Sequence, residues 1–346
     1  MPKSMSSNLN GLSSQVSIIM CCYNSAKRVP QTLEYLSRLT LPTAHAVELI
    51  VVDNASTDNT RQLAKETWSR LGSPFPMRIV TEASAGLSFA RKKGVDEAEG
   101  ELLLFCDDDN WLNANYLVEG TTLMGENASL GMLGGVGIPA FENIKPDWFD
   151  QVRVMYAVGD QHTDYPDVTT SKNYVYGAGA FVRKSAIVKI FEQNIRQVFS
   201  DRTANKLLSG GDNELGYLLV ASGYKFHWSK ELTFFHFIPQ ARLNYDYLRR
   251  MRKGYAFSYP MVSMYKSALT SQDVVFNRKV WMRDLIVSFK RLLRIRMRFI
   301  FPGKRNLRLL LEYWFYLGRL NSLIRYYRFY NRANKIIERN VSDLTP

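Results

Sequence analysis

The sequence has little cysteine and no long apolar run. Its three cysteines, Cys21, Cys22 and Cys106, are too few for a disulfide framework or a four-ligand zinc site. The longest apolar stretches, such as 16–22 and 309–311, are far shorter than the ~18 residues that cross a bilayer. The opening residues are polar and lack the apolar segment of a signal peptide. These absences predict a protein of a reducing cytosol that does not span a membrane.

Acidic residues are scarce in the last part of the chain. Residues 249–346 contain 22 Lys and Arg but 5 Asp and Glu, a balance of +17, and the whole chain carries +13. The preceding 248 residues are therefore mildly acidic. The basic residues interleave with Leu, Ile and Phe, a pattern typical of helices that lie on an anionic membrane surface. A helical subdomain packed on the body, a homodimer contact and nucleic-acid binding are the alternatives. No nucleic-acid motif accompanies the charge, so we expect no nucleic-acid partner and predict a peripheral protein on the cytoplasmic face of a membrane.

The first 110 residues alternate aliphatic runs with amphipathic ones. Nearly continuous apolar runs are typical of parallel strands that are buried on both faces. Strands are predicted at 16–22, 47–53, 77–80 and 101–107, and helices at 29–39, 60–71 and 87–99. This repetition predicts right-handed crossovers and an open α/β sheet.

The pattern weakens after about residue 124. A strand or hairpin is predicted at 174–182, a helix at 212–221, strands at 226–228 and 232–238, and helices from 245 with a break at Pro260, then at 278–299 and 307–337. We therefore predict a polar tail over 1–15, an α/β body over 16–240 with a division near residue 110, and a basic amphipathic helical region over 241–346.

Three consecutive carboxylates, Asp107, Asp108 and Asp109, end one apolar run. Their mutual repulsion raises their pKa values unless a cation neutralises them. Hard oxygen ligands suit Mg²⁺ or Mn²⁺. The alternative is a solvated acidic turn before a helix that starts near Asn113. Asp53 ends the second strand, and ligands of open α/β sheets bind beyond the carboxyl ends of the strands.

Several segments, in order, resemble family 2 glycosyltransferases of the GT-A fold. The matching segments are 17–24, 50–58, 86–91, 104–109 and 210–215, with His236 beyond them. The resemblance covers about residues 16–238. It implies a Rossmann-like, mostly parallel sheet flanked by helices, here followed by the basic helical extension. It also implies that 16–240 is the catalytic domain, with a nucleotide-binding half (16–110) and an acceptor-binding half (111–240).

The resemblance implies a place for the nucleotide. In that family a Tyr and an Asp hold the base, and these roles fall on Tyr23 and Asp53. Arg91 matches the basic residue that faces the nucleotide, where a guanidinium suits phosphate geometry. The alternatives are a turn role for Asp53 and an exposed helix charge for Arg91.

The family's DxD motif falls on Asp107 and Asp109, with Asp108 between them able to share their role. The resemblance implies that Asp107 lies near the ribose and the metal, and that Asp109 binds Mn²⁺ or Mg²⁺. His236 matches a histidine that completes the metal site in the family, and His227 is the competing candidate.

Asp212 matches the general base of the family. Gly211 stands where the first acid of the usual pair is found, which weakens that match. Asp212 could also serve as a helix N-cap, and Glu214 is the first alternative base. The acceptor and sugar loop is predicted at Gly177, Ala178, Gly179 and Glu214, with a plain β-turn as the alternative at the glycines.

Together these features predict a metal-dependent, inverting glycosyltransferase. It would move a sugar from a nucleotide-sugar donor, UDP-linked by default with GDP and dTDP open, to a carbohydrate or lipid-linked glycan acceptor. A nucleotidyltransferase would favour a basic phosphate loop near the N-terminus, and residues 20–24 do not form one. A catalytically inactive membrane scaffold is disfavoured because the predicted site acids are all present.

Overall fold

A single mixed sheet organises the molecule. The structure is a computed structural model that describes residues 15–43, 46–162, 166–172, 174–193, 195–196, 198–199, 211–270, 276–299 and 306–345, without the side chain of Asp212. The first part contains β1 (Gln15–Cys22), α1 (Val29–Ser37), β2 (Ala46–Asn54), α2 (Thr60–Arg70), β3 (Met77–Glu82), α3 (Leu87–Glu97) and β4 (Leu102–Phe105). This alternation is the one that the sequence predicts.

The second part is less regular. It contains β5 (Asn110–Leu112), α4 (Tyr116–Glu126), β6 (Leu130–Phe141), β7 (Ala180–Arg183), α5 (Lys184–Glu192), α6 (Gly211–Ala221) and β8 (Lys225–Ile238). The two strands predicted at 226–228 and 232–238 form the single strand β8. Its register against β6 shifts where Trp228 faces Gly134 and Thr233 faces Val136, and this irregularity interrupts the apolar pattern.

The eight strands lie in the order β3-β2-β1-β4-β7-β6-β8-β5. Strands β1 to β4 pair in parallel, as do β6 and β8. The pairs β4–β7, β6–β7 and β5–β8 are antiparallel. The predicted mostly parallel GT-A sheet with flanking helices is confirmed.

Both faces of the first strands are buried. Along β1, Ile19 packs with Ile50 and Val52 on one face, whereas Ile18 and Met20 belong to the apolar cluster on the other. Successive side chains of a strand point to opposite faces, so a strand covered on both sides must be apolar throughout. This explains the continuous apolar runs in the sequence.

Four helices form the C-terminal extension, namely α7 (Tyr245–Leu269), α8 (Arg278–Phe299), α9 (Leu307–Arg325) and α10 (Tyr327–Leu344). The break predicted at Pro260 is wrong, because α7 runs through this buried proline. Packing of α7 against α9, α10 and α6 stabilises the helix despite the lost backbone hydrogen bond. The single helix predicted at 307–337 is also wrong, since the chain turns at Tyr326 between α9 and α10.

Helices α7 and α10 pack directly on the body. Tyr265 of α7 and Ile337 of α10 are buried in the same apolar cluster as Tyr217 of α6. Asn340 donates a hydrogen bond of 2.9 Å to the carbonyl of Arg196. The extension is thus partly a packed helical layer, and the division at residue 240 stays a prediction. Among the described residues, no helix is long and apolar enough to cross a membrane.

Candidate active site

The predicted nucleotide residues converge at the carboxyl end of β1. Cys22, the last residue of β1, lies in register with Asp53 of β2, and Tyr23 follows it with 45% of its surface exposed. Burial raises the pKa of Cys22, and the charges of Asp108 and Asp53 contribute to the rise. The end of β1 therefore lies between the second-strand acid and the acidic triplet.

Asp53 has an unsatisfied acceptor. Its Oδ1 atom is buried and accepts no hydrogen bond within the described part of the chain. A buried carboxylate oxygen without a donor is costly unless a ligand supplies one. An N–H of a nucleotide base is such a donor, so the residue fits its predicted role.

Arg91 of α3 lies beside the end of β4. Its guanidinium carbon is 5.1 Å from the centre of the Phe105 ring. Burial raises the pKa of Cys21 to about 12, and the charge of Arg91 partly opposes this rise while that of Asp107 adds to it. The guanidinium is therefore close to the strand ends and is not an isolated surface charge.

A tight turn connects β4 to β5 and carries the acidic triplet. The amide N–H of Asp107 donates to Oδ1 of Asn110 at 3.1 Å, and the amide of Asn110 donates back to the carbonyl of Asp107 at 3.0 Å. Strand β5 then pairs with β8, which places Asn110 opposite His236. The three-residue strand β5, absent from the sequence prediction, thus brings the triplet to His236.

Asp109 is the residue on which the site converges. It is 5% exposed, and its Oδ1 lies 3.7 Å from Nε2 of His236. Its Oδ2 lies 3.2 Å from Nη1 of Arg242, in the segment after β8. The competing histidine, His227, instead lies 3.7 Å from Asp167. The structure therefore brings His236, and not His227, to the acidic triplet.

Asp108 points to the other side of the turn. Its carboxylate accepts hydrogen bonds from Ser25 and from Arg28, whose Nε and Nη2 atoms lie 3.0 and 2.7 Å away. Burial raises the pKa of Asp108, Asp109 adds to the rise, and Arg28 opposes it. The hydroxyl of Thr32 also donates to the carbonyl of Asp108 at 2.6 Å. These contacts fix the turn, so Asp108 anchors it to α1 and does not share the role of its neighbours.

The side chains present suit a divalent cation, although they do not enclose one. In the described ranges, no three His, Cys, Asp or Glu side chains gather as a metal group, so Asp107, Asp109 and His236 do not form the predicted cluster by themselves. Asp109 and His236 nevertheless form a close pair of carboxylate oxygen and imidazole nitrogen, ligands that Mn²⁺ accepts. Asp107 lies two residues away on the same turn.

The glycine loop lies next to this turn. Phe105 of β4 faces Ala180 of β7, so residues 177–179 adjoin the end of β4. Gly179 has φ +66°, and a Cβ there would lie 2.7 Å from the hydroxyl of Tyr116. Only glycine fits this conformation and space. Gly177 and Ala178 are buried beside it, which brings the predicted loop to the site edge.

Two predicted residues of α6 have different outcomes. Asp212 is in the first turn of α6, but its side chain lies outside the described residues, so its role stays a prediction. Glu214 is 2% exposed and accepts hydrogen bonds from the amides of Val198 and Phe199 and from the hydroxyl of Tyr265. The prediction that Glu214 belongs to the acceptor loop, or replaces Asp212 as base, is corrected: its oxygens are held inside the core.

The sequence did not reveal two site arginines. Arg28 is in an unremarkable segment before α1, and Arg242 is 133 residues from the aspartate that it contacts. No spacing rule connects either arginine with the triplet. The only sequence signal for Arg242 was its position six residues after His236, just beyond the end of the strand predicted at 232–238.

Comparisons with known proteins identify the family of the chain. The model of the family described as Glycosyl transferase family 2 matches residues 17–191, half of the chain. Poly(ribitol-phosphate) beta-N-acetylglucosaminyltransferase TarS of Staphylococcus aureus is 30% identical over 129 residues, which are 36% of this chain and 22% of TarS. The matches span a third or less of the first curated relatives.

Solved structures share the fold. A TarS segment in complex with UDP-GlcNAc has a TM-score of 0.51, covering 96% of this chain and 92% of that chain at 17% identity. The mannosyltransferase PcManGT of Pyrobaculum calidifontis, in complex with GDP-Man and Mn²⁺, has a TM-score of 0.51, covering 95% and 86% at 13% identity. At such identities the likeness shows the fold alone.

The family match includes most of the site described above. It spans Tyr23, Asp53, Arg91 and the triplet Asp107–Asp109, whereas Asp212 and His236 lie beyond it. Family and fold are those that the sequence motifs predicted. The chain belongs to glycosyl transferase family 2.

Proposed function

We propose that this enzyme is metal-dependent and transfers a sugar, with inversion, from a UDP-sugar to a carbohydrate or lipid-linked glycan. The observation that carries the proposal is the convergence at one sheet edge of the unsatisfied Asp53 carboxylate with the Asp109–His236 pair. One feature suits a nucleotide base and the other suits a cation at a diphosphate.

The nucleotide would lie across the ends of β1, β2 and β4. Asp53 would accept a hydrogen bond from the base, and Tyr23, which is partly exposed, would cover its ring face. Arg91 would face the phosphates. The relatives support this donor class, since the TarS structure contains UDP-GlcNAc and the PcManGT structure contains GDP-Man.

Asp109, His236 and Asp107 would hold Mn²⁺ or Mg²⁺ beside the diphosphate of the donor. Such a cation supplies neutralisation of the negative charge that develops on a leaving nucleoside diphosphate. Arg242 also supplies positive charge to the Asp109 carboxylate. The PcManGT structure contains Mn²⁺, which supports the metal class.

The transfer requires a base on the acceptor side. An acceptor hydroxyl oxygen would attack the anomeric carbon, the bond to the diphosphate would break with its electron pair on the nucleotide, and the hydroxyl proton would pass to Asp212. Asp212 lies in the first turn of α6, and Gly177–Gly179 would form the surface beneath the sugar. Inversion follows from this single displacement.

The acceptor would be part of a cell-surface polysaccharide or glycoconjugate. TarS, by its name, acts on a poly(ribitol-phosphate) chain, which supports a polymeric acceptor. We place the enzyme on the cytoplasmic face of a membrane, where both nucleotide sugars and lipid-linked glycans are accessible to a peripheral protein.

Titration calorimetry with UDP, GDP and dTDP, each with and without Mn²⁺, tests the proposal. UDP should bind best and only with the metal, and Asp109→Ala should weaken that binding at least tenfold. The matched control is Asp96→Ala, an exposed carboxylate paired with Lys92. Equal UDP affinity with and without Mn²⁺, or in wild type and Asp109→Ala, would contradict the metal assignment.

A further inference from the structure

Helix α8 is attached to the molecule by one face. Trp281 donates a hydrogen bond of 2.9 Å to the carbonyl of Leu323, and Asp284 forms an ion pair of 2.6 Å with Arg319, both on α9. Along its 22 residues, only Ser288 and Ile295 are buried. The helix therefore lies on α9 as an outer layer, and most of its circumference faces solvent.

The outer face of α8 carries a second apolar row. The row consists of Met282, Ile286, Phe289, Leu293 and Met297, and each side chain is between 42% and 57% exposed. Their spacing of four, three, four and four residues places them along one side of a helix. This apolar row differs from the buried positions, so packing on α9 does not account for it.

Basic side chains border the apolar row. The helix contains eight Lys and Arg residues, all exposed: Arg278, Lys279, Arg283, Lys290, Arg291, Arg294, Arg296 and Arg298. Its one acid, Asp284, is already engaged by Arg319. In the described part of the chain, Arg283 alone among the eight lies within 4 Å of a carboxylate, at 3.9 Å from Asp284. Almost all of the positive charge of α8 is thus available to bind an anionic partner.

The charge and the apolar row together select the partner. A second copy of α8 laid against the row would bring like charges together, which is unfavourable. A nucleic acid would engage the basic residues but would leave the Met, Ile, Leu and Phe side chains in water. An anionic lipid surface satisfies both features, since headgroups pair with the basic residues and the acyl boundary accepts the apolar ones.

We propose that α8 lies in the plane of an anionic bilayer, with Met282, Ile286, Phe289, Leu293 and Met297 inserted at the acyl boundary. This inference deepens the proposed function, because it names the surface that would bring the enzyme to a lipid-linked acceptor. The basic residues flanking the row contact the headgroups.

Helix α8 is connected to the active site through α9 and through the segment that contains Leu243. The ring of Phe299, at the end of α8, lies 5.5 Å from that of Tyr313 of α9. The start of α9 packs at Leu307 in the same cluster as Leu243 and Leu248. Leu243 directly follows Arg242, which contacts Asp109. The arginine-rich end of α8 is therefore near the end of the helical layer that adjoins the site.

Vesicle flotation of the full chain tests the proposal. Wild type should float with phosphatidylglycerol vesicles and not with phosphatidylcholine vesicles. Phe289→Gln with Leu293→Gln removes apolar contact without changing charge and should lower the partition coefficient about tenfold or more. Lys290→Gln with Arg294→Gln should lower it about thirtyfold at low salt. Leu41→Gln, an exposed leucine after α1, is the control and should bind as wild type does.

Two further measurements separate the alternatives. Metal-dependent UDP binding, measured on each variant, should be unchanged, which shows that the chain is folded and keeps this test independent of the proposed catalysis. Sedimentation velocity reports any dimer. Failure of wild type to float, loss with the charge pair but not the apolar pair, tighter binding to RNA than to vesicles, or a dimer that the apolar pair dissociates would each overturn the docking proposal. If the wild-type protein does not bind UDP in the presence of Mn²⁺, the proposed function is overturned instead.

Discussion

Nη1 of Arg242 lies 3.2 Å from Oδ2 of Asp109, while His236 approaches the other oxygen of the same carboxylate at 3.7 Å. The guanidinium of Arg242 thus places a positive charge beside the carboxylate that we propose as a metal ligand. Asp109 is almost fully buried, so an unpaired negative charge there would be costly. Arg242 therefore compensates the charge of Asp109, and a cation held by Asp109 would compete with the guanidinium for this carboxylate.

Replacing Arg242 should change metal and nucleotide binding in opposite directions. In Arg242→Ala, Mn²⁺ alone should bind several-fold more tightly, because a competing cation is removed from Asp109. UDP with Mn²⁺ should bind about tenfold more weakly if the released guanidinium normally reaches the diphosphate. Calorimetry measures both values. Arg249→Ala, an exposed arginine paired with Asp246, is the matched control. Unchanged Mn²⁺ affinity would show that the arginine does not compete.

Asp212→Asn should separate binding from chemistry. We expect UDP-sugar affinity to remain, while kcat falls by about 10²-fold or more, as for the loss of a general base. Single-turnover measurement of transfer, with donor affinity measured separately, checks this prediction. Asn213→Ala, the neighbouring position on α6, provides a control for helix disturbance. A kcat within a few-fold of wild type would remove Asp212 from the mechanism.

Glu214→Gln should affect stability and not donor binding. The carboxylate accepts three hydrogen bonds. In Glu214→Gln, the amide nitrogen is itself a donor and would face one of these donors without accepting its hydrogen bond. The free energy of unfolding should fall by about 1–3 kcal/mol. Thermal or urea unfolding measures the loss, with the exposed Glu192→Gln as control. Wild-type stability together with lost turnover would restore Glu214 as a catalytic candidate.

Lys172 predicts a pH dependence of stability. Its amine lies 4.6 and 4.0 Å from the ring centres of Tyr174 and Tyr176, and burial lowers its pKa from 10.5 to about 8. Between these values the unfolded chain binds more protons than the folded chain, so stability rises with pH there. The Tm of wild type should therefore rise relative to that of Lys172→Met from about pH 8 to pH 10.

The same scan on Lys65→Met, an exposed lysine of α2, is the control and should run parallel to wild type. If the Tm difference between wild type and Lys172→Met is constant over this range, the amine titrates normally and the expected burial effect is absent.

The sequence predicted those parts of the fold that depend on local patterns. The apolar runs located β1, β2 and β4, and helix α8 was predicted with the observed bounds Arg278–Phe299. Strand β5 was missed because three residues give no periodicity, and it forms only by pairing with β8. Pro260 was misread because the packing that retains α7 around it comes from distant residues.

The sequence predicted only those site residues that follow a recognisable strand in the chain. Asp53 and the triplet follow apolar strands, so their place at the sheet edge was visible from the sequence. The opposite orientations of Asp108 and Asp109 were not visible, because they depend on Arg28 and Arg242 approaching from separate elements. Burial of Glu214 likewise depends on Tyr265, 51 residues further along.

The position of α10 in the core affects how the protein is made. Tyr330, Ile337 and Leu344 are buried together with Val182 of β7 and Tyr217 of α6, so they cover apolar surface of the part that contains the site. A chain emerging from the ribosome cannot close this core until residue 344 has left the exit tunnel. The strands at the N-terminal end of the sheet are synthesised first. Until α10 is available, the apolar surface of β7 and α6 stays exposed in a partly folded intermediate. The growing chain should consequently be a chaperone substrate through the synthesis of its last helix.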